Sequence, residues 1–203
     1  MLTFCCAGCA APRHLDDGIK SYFLEYEPSA FCDYPLLPVV IGISPFSVAP
    51  AYDTNRIIYR EGAFERQAYF YHRWQVNPGG LVGTLLARDM KNSGLFAGVV
   101  SPDSRIVPDY RIEGSVEEFL EWDREEQWEA RLSINIVLMT EQKTAVRNRV
   151  LLQKGFSVSK PCTKRTPEAL AAAMSQAMVE VSHLVIDEVH RTLSAESARR
   201  SGG

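Results

Sequence analysis

The chain has no uninterrupted apolar run of about 18 to 20 residues, so no segment reads as a membrane-spanning helix. It has no G-x-G-x-x-G, no phosphate-loop glycines followed by Lys-Ser or Lys-Thr, and no G-x-S-x-G. The dinucleotide, nucleoside-triphosphate and α/β-hydrolase signatures are therefore missing. Lysine and arginine number 22 against 25 acidic residues, a net charge of -3, which gives no electrostatic reason to expect nucleic acid as a partner. With these signatures absent, four histidines give little support for an enzyme. Cys6-Ala-Gly-Cys9 is a single C-x-x-C with no second pair, so no zinc site is expected. No internal repeat or low-complexity linker interrupts the chain.

What is present fits one folded unit. With 46% hydrophobic and 23% charged residues over 203 positions, the composition is that of a globular domain. The expected plan is a lipobox-like tether over residues 1–18, one domain over 19–194, and a small polar tail over 195–203 expected to be disordered. Cys5, Cys6 and Cys9 crowd the tether. Ala7-Gly8-Cys9, followed by Ala10-Ala11-Pro12-Arg13, has the small-small-Cys shape of a bacterial lipobox, with Cys6 where leucine is usual and a signal segment shorter than the complete form. Small side chains suit a peptidase cleft, and the thiol then accepts a lipid. Cys32 and Cys162 are isolated, and the sequence leaves open whether they are bridged.

Hydrophobic periodicity supplies the elements. Ser21–Tyr26 reads as a strand, and Val39–Ile43 as a buried one. Arg56–Arg60, the Glu61-Gly62 turn and Glu65–Trp74 read as a hairpin. Pro78–Asn92 reads as a helix with Leu81, Leu85 and Met90 on its apolar stripe and Gly94 ending it. Gly79, Gly80 and Gly83 weaken its first turn, as expected where another backbone passes close by. Phe96–Val100 is a short strand. Two long alternating strands follow, with Tyr110, Ile112, Gly114, Val116 and Glu118 on one face of the first and Ala130 to Leu138 in the second. The acidic connection between them carries Trp122 and Trp128, as a hairpin tip or an extended strand pair. Arg147–Ser159 reads as a strand broken at Gly155. Thr166 caps a last helix running to Leu193, with Leu170, Met174, Ala177, Met178, Val181, Leu184, Val185 and Glu188 on its core side and burial fading at Glu188. Successive strands without long crossovers predict an α+β fold, a mainly antiparallel sheet with two helices packed on one face.

Three groups invite a chemical reading. His72, beside Arg73 and Trp74, lacks an orienting carboxylate that the sequence can place, and it reads as a packed aromatic neighbour. His183, Asp187 and His190 share a helix face, expected to lie opposite the apolar stripe and to be solvated, where no supporting shell would shape a metal site. The glycines before the first helix lack the rest of a phosphate-binding motif. Neither catalytic residues nor a cofactor follow from these patterns.

The order of motifs does carry a resemblance. Tyr22-Phe-Leu24 follows the cysteine; Arg56-Ile-Ile-Tyr59-Arg60 precedes Tyr71-His72-Arg73-Trp74; then come the helix from Pro78, Ser93-Gly-Leu-Phe96, Tyr110–Phe119, Leu151–Phe156 and the alanine-rich final helix. Over about residues 20 to 193 the chain resembles the ABC-type transport auxiliary lipoproteins, the PqiC-like lipoproteins that accompany MCE-type systems. The resemblance implies a non-enzymatic lipoprotein anchored through Cys9 in the periplasm, on the outer membrane of a Gram-negative cell. Its partners would be an MCE-domain protein and an ABC transporter's permease and ATPase, moving lipids or other apolar solutes between membranes. It implies no cofactor. Trp122 and Trp128 are then candidates for the partner interface, a homo-oligomer being a further arrangement, while Arg56, Tyr59, His72, Arg73, Trp74 and Pro78 are the signature residues, read as structural. Two other readings stand beside it: a stand-alone binder of lipid or apolar ligand, favoured by an apolar pocket between helix and sheet, and a hydrolase, which needs His72 or His183 in a concave site.

Overall fold

In a computed structural model the described residues are 18–31, 34–124, 127–141 and 149–201. Cys5, Cys6, Cys9 and Cys32 lie outside them. One strand organises the rest: β7 (Tyr110–Arg124) runs the length of the domain. On one side β8 (Gln127–Thr140) pairs with it antiparallel throughout, and β9 (Val150–Pro161) pairs antiparallel with β8. On the other side three short strands take successive stretches of β7, all parallel to it. These are β2 (Leu37–Ile43), β3 (Ser47–Val48) and β4 (Arg56–Arg60). Outside β2 lies β6 (Phe96–Val100), parallel; outside β4 lies β5 (Gln67–Trp74), antiparallel; and β1 (Lys20–Tyr22) pairs parallel with the end of β5.

The architecture is α+β as expected, with nine strands among the described residues forming a mixed sheet in which the long ladders are antiparallel. The meander holds for β7, β8 and β9. Elsewhere the loops return the chain in the same direction along β7, which gives the parallel pairs. The first strand is shorter than Ser21–Tyr26, and β9 runs unbroken through Gly155, which lies opposite Asn135.

Both helices pack on one face. Helix α1 (Pro78–Asn92) starts at Asn77, whose side chain accepts from the Gly79 amide at 3.0 Å, and ends before Gly94 at φ 67°. Helix α2 (Pro167–Ser201) is capped by Thr166, which accepts from the Ala169 amide at 3.2 Å, and lies over β8 and β9. It continues through residues 195–201, where a disordered tail was expected. Its length and composition suit a membrane span, but 56% of its most apolar window is buried, and Met174, Met178, Val181, Val185 and Val189 fill the core. Burial does not fade at Glu188: Val189, His190 and Leu193 are buried, whereas Leu184 is 39% exposed.

A bulge after Val116 resets the phase of β7. Before it Tyr110, Ile112 and Val116 face the helices; after it Phe119, Glu121 and Asp123 do, so Glu118, expected on the apolar side, turns outward and pairs with Arg131 at 2.8 Å. A small second core of Tyr52, Ile58 and Leu120 lies on the helix-free face.

Candidate functional site

The signature residues around Trp74 form a corner. Trp74, 1% exposed, meets Phe119 edge-on at 5.1 Å. Tyr22 donates its phenol proton to Glu168 Oε1 (3.0 Å), so its contact with His72 Nδ1 (2.9 Å) makes that ring nitrogen the donor. Burial first, then Glu168, pushes the Tyr22 phenol up to about 12. The chain ties β1, β5 and the first turn of α2 together. Tyr59 donates to Gln67 Oε1 at 2.6 Å and meets Tyr69 edge-on; Pro78 is buried at the start of α1; Arg56 and Arg73 are exposed.

Beside this corner is a buried acidic group. Glu121, 3% exposed, accepts from Tyr69 Oη at 3.1 Å, and burial holds its carboxyl above the usual range. Asp123 accepts from Trp128 Nε1 at 2.5 Å and pairs with Arg165, whose guanidinium lies 3.8 Å over the Trp128 ring. Among the described residues half-buried Cys162 has no disulfide partner, and as a thiol it is pushed up to about 11 by burial and then by Glu121, which keeps it protonated and a poor nucleophile. Its bridging to Cys32 falls outside the described residues.

The histidine patch on α2 is only partly solvated: His183 is exposed as expected, Asp187 is half-buried, and His190 is buried. The loop before β2 packs on the patch: Phe31 stacks on His183 at 4.7 Å, Tyr34 donates to Asp187 at 2.6 Å, and the buried His190 bonds the Pro35 carbonyl at 2.8 Å. Periodicity along α2 gives no sign of this cover. Among the described residues no group of three His, Cys, Asp or Glu is placed to hold a metal.

Trp122 and Trp128 lie on opposite faces. Trp122 pairs in register with Glu129 and Trp128 with Asp123, one residue out of step on facing strands. Trp128 is on the helix side. Trp122, half-buried on the helix-free side, lies under the guanidinium groups of Arg124 (3.8 Å), Arg60 (4.0 Å) and Arg131 (4.4 Å). Arg56 and Arg60 share a face of β4, and Arg56 lies 5.8 Å over Phe70, which is 69% exposed. Phe70 and Tyr71 stand in an irregular stretch of β5 whose outer side has no strand partner among the described residues. Phe64, at the hairpin between β4 and β5, is 98% exposed. The helix-free face therefore carries Phe70 and Trp122 framed by arginines.

A separate apolar trough of about 530 Å³ runs beside α1. Ile43–Phe46 forms one wall and Val99–Pro102 another, with Gly80, Gly83, Thr84 and Ala87 of α1 along its length and Arg88 and Lys91 at its end. The glycines explain its shape. A Cβ on Gly79 would lie 2.5 Å from the Phe46 carbonyl oxygen, and Gly114 of β7 lets the Phe46 ring approach, since a Cβ there would overlap it. The sequence marks that close approach but not the opening it leaves. Neither His72 nor His183 lines the trough.

Among known proteins, the family model described as ABC-type transport auxiliary lipoprotein component matches residues 33–185. No curated protein matches. Among solved structures, a Xanthomonas campestris protein of family DUF330 superposes with a TM-score of 0.80 at 22% identity, covering 88% of this chain and 99% of its own. The protein CT253 from Chlamydia trachomatis gives 0.52 at 9% identity, covering 78% and 99%. At these identities the structures show a shared fold.

Proposed function

The chain belongs to the family of ABC-type transport auxiliary lipoprotein components, and on that premise we propose that it is a non-enzymatic docking subunit for an MCE-domain protein. The observation that favours this is the helix-free sheet face, where exposed Phe70 and half-buried Trp122 are framed by Arg56, Arg60, Arg124 and Arg131. Aromatic and arginine side chains are the types enriched at interface hot spots, and their charge fits an acidic partner surface. Trp128, on the other face and hydrogen-bonded to Asp123, has a structural role in this reading.

Cys9 carries the lipid anchor, and the domain sits in the periplasm at the outer membrane, serving an ABC transporter's permease and ATPase in moving lipids or apolar solutes. Lipidation predicts that Cys9→Ser moves the protein from the detergent phase to the aqueous phase on phase separation; equal partitioning of both forms would contradict it. Docking predicts co-purification with an MCE-domain protein from envelopes dissolved in mild detergent. Repeated failure to co-purify would count against the reading.

A further inference from the structure

Beyond docking, and independent of it, we propose that the trough beside α1 is a binding site for a single-chain anionic amphiphile. Its walls are Ile43, Pro45, Phe46, Val99, Val100 and Pro102, with no acidic residue in the lining and only the hydroxyls of Ser44, Thr84 and Ser101 as neutral side-chain polar groups. A volume of about 530 Å³ is in the range of small-molecule sites. From Gly80 to Lys91 the helix rises roughly 16 Å at 1.5 Å per residue, the reach of an extended aliphatic chain.

Charge is confined to one end. Arg88 is ion-paired within its own helix: its Nε donates to Asp89 Oδ1 at 3.0 Å and its guanidinium lies 4.3 Å over the Tyr26 ring. Lys91 is exposed at the same end and makes no ion pair or side-chain hydrogen bond among the described residues. An apolar slot ending at an unpaired ammonium group selects an occupant with a hydrocarbon tail and a negative head. A neutral apolar solute would leave that cation unused, and a two-chain lipid exceeds the slot.

The test is titration of the purified chain with palmitate, lysophosphatidylglycerol and lysophosphatidylcholine, read by displacement of a fluorescent fatty-acid probe. Palmitate and lysophosphatidylglycerol are expected to bind, with lysophosphatidylcholine weaker. Thr84, exposed on the trough side of α1, gives the blocking variant Thr84→Trp, expected to weaken palmitate by about tenfold or more. Lys91→Glu should weaken palmitate and spare lysophosphatidylcholine. If Thr84→Trp folds poorly, photocrosslinking of a diazirine fatty acid to the unaltered chain decides, with label expected in the peptides spanning 43–46 and 79–102. No binding by palmitate, binding indifferent to both variants, or label elsewhere would overturn the proposal, while leaving co-purification with the MCE-domain protein unaffected.

Discussion

Tyr26 Oη donates to Asp89 Oδ2 at 2.6 Å across 63 residues of chain, fastening the loop after β1 to the core side of α1. Asp89 is 2% exposed, and its other side-chain partner is Arg88. Burial first, then the carboxylate, raises the Tyr26 phenol above its ordinary value. Tyr26→Phe removes the donor and leaves a buried carboxylate short of a bond, which typically costs about 1–3 kcal/mol. Urea denaturation should show a lower midpoint with an unchanged slope; an unchanged midpoint would mean that the Tyr26–Asp89 bond makes no net contribution to stability.

Gly79 and Gly83 should respond oppositely to alanine. At Gly79 the added methyl meets the Phe46 carbonyl oxygen at 2.5 Å and Val48 Cγ2 at 2.8 Å, a clash with backbone that costs about 1–3 kcal/mol. At Gly83 the nearest atom is Phe46 Cδ2 at 3.5 Å, ordinary contact, and the helix should gain about 0.5–1 kcal/mol. Thermal melts of the two variants would separate them, with Gly79→Ala below the parent and Gly83→Ala above it.

Glu121 should impose a pH dependence. Its folded carboxyl is held above the unfolded value by burial, so the stability it permits is fully present below the ordinary carboxylate range and is lost as pH rises through the raised folded value. Glu121→Gln keeps an oxygen to accept from Tyr69 and removes the charge. The variant should match the parent near pH 4 and melt higher at pH 8. A variant that melts lower at pH 8 would mean that Tyr69 and Arg165 stabilise the anion by more than burial costs.

How legible the fold was in sequence depended on whether signals were local. α1 and β6 fall at their expected bounds because Pro78, Gly94 and the apolar spacing act over a few residues. The parallel pairing of β2, β3 and β4 along β7 was not legible, since loops without helical crossovers read as antiparallel turns. The bulge after Val116 moved Glu118 outward, and only cross-strand register reveals it. The opposite facing of Trp122 and Trp128 depends on that same register. The ring stacked on His183 and the cover over His190 come from residues about 150 positions away, beyond what helical periodicity records. Of the candidate surfaces, the glycines beside Phe46 hinted at the trough, whereas the arginines around Trp122 are scattered over three strands.

The central claim is docking through the helix-free face, and its most direct measurement is the affinity of the purified domain for the MCE-domain protein of the transport system it serves. Phe70 and Arg56 are both exposed, so Phe70→Ser and Arg56→Glu can be made without disturbing the core. The account predicts saturable binding that weakens by about tenfold in each variant and, for the parent, as salt is raised. Absence of binding, or binding equal in the parent and both variants, would contradict it.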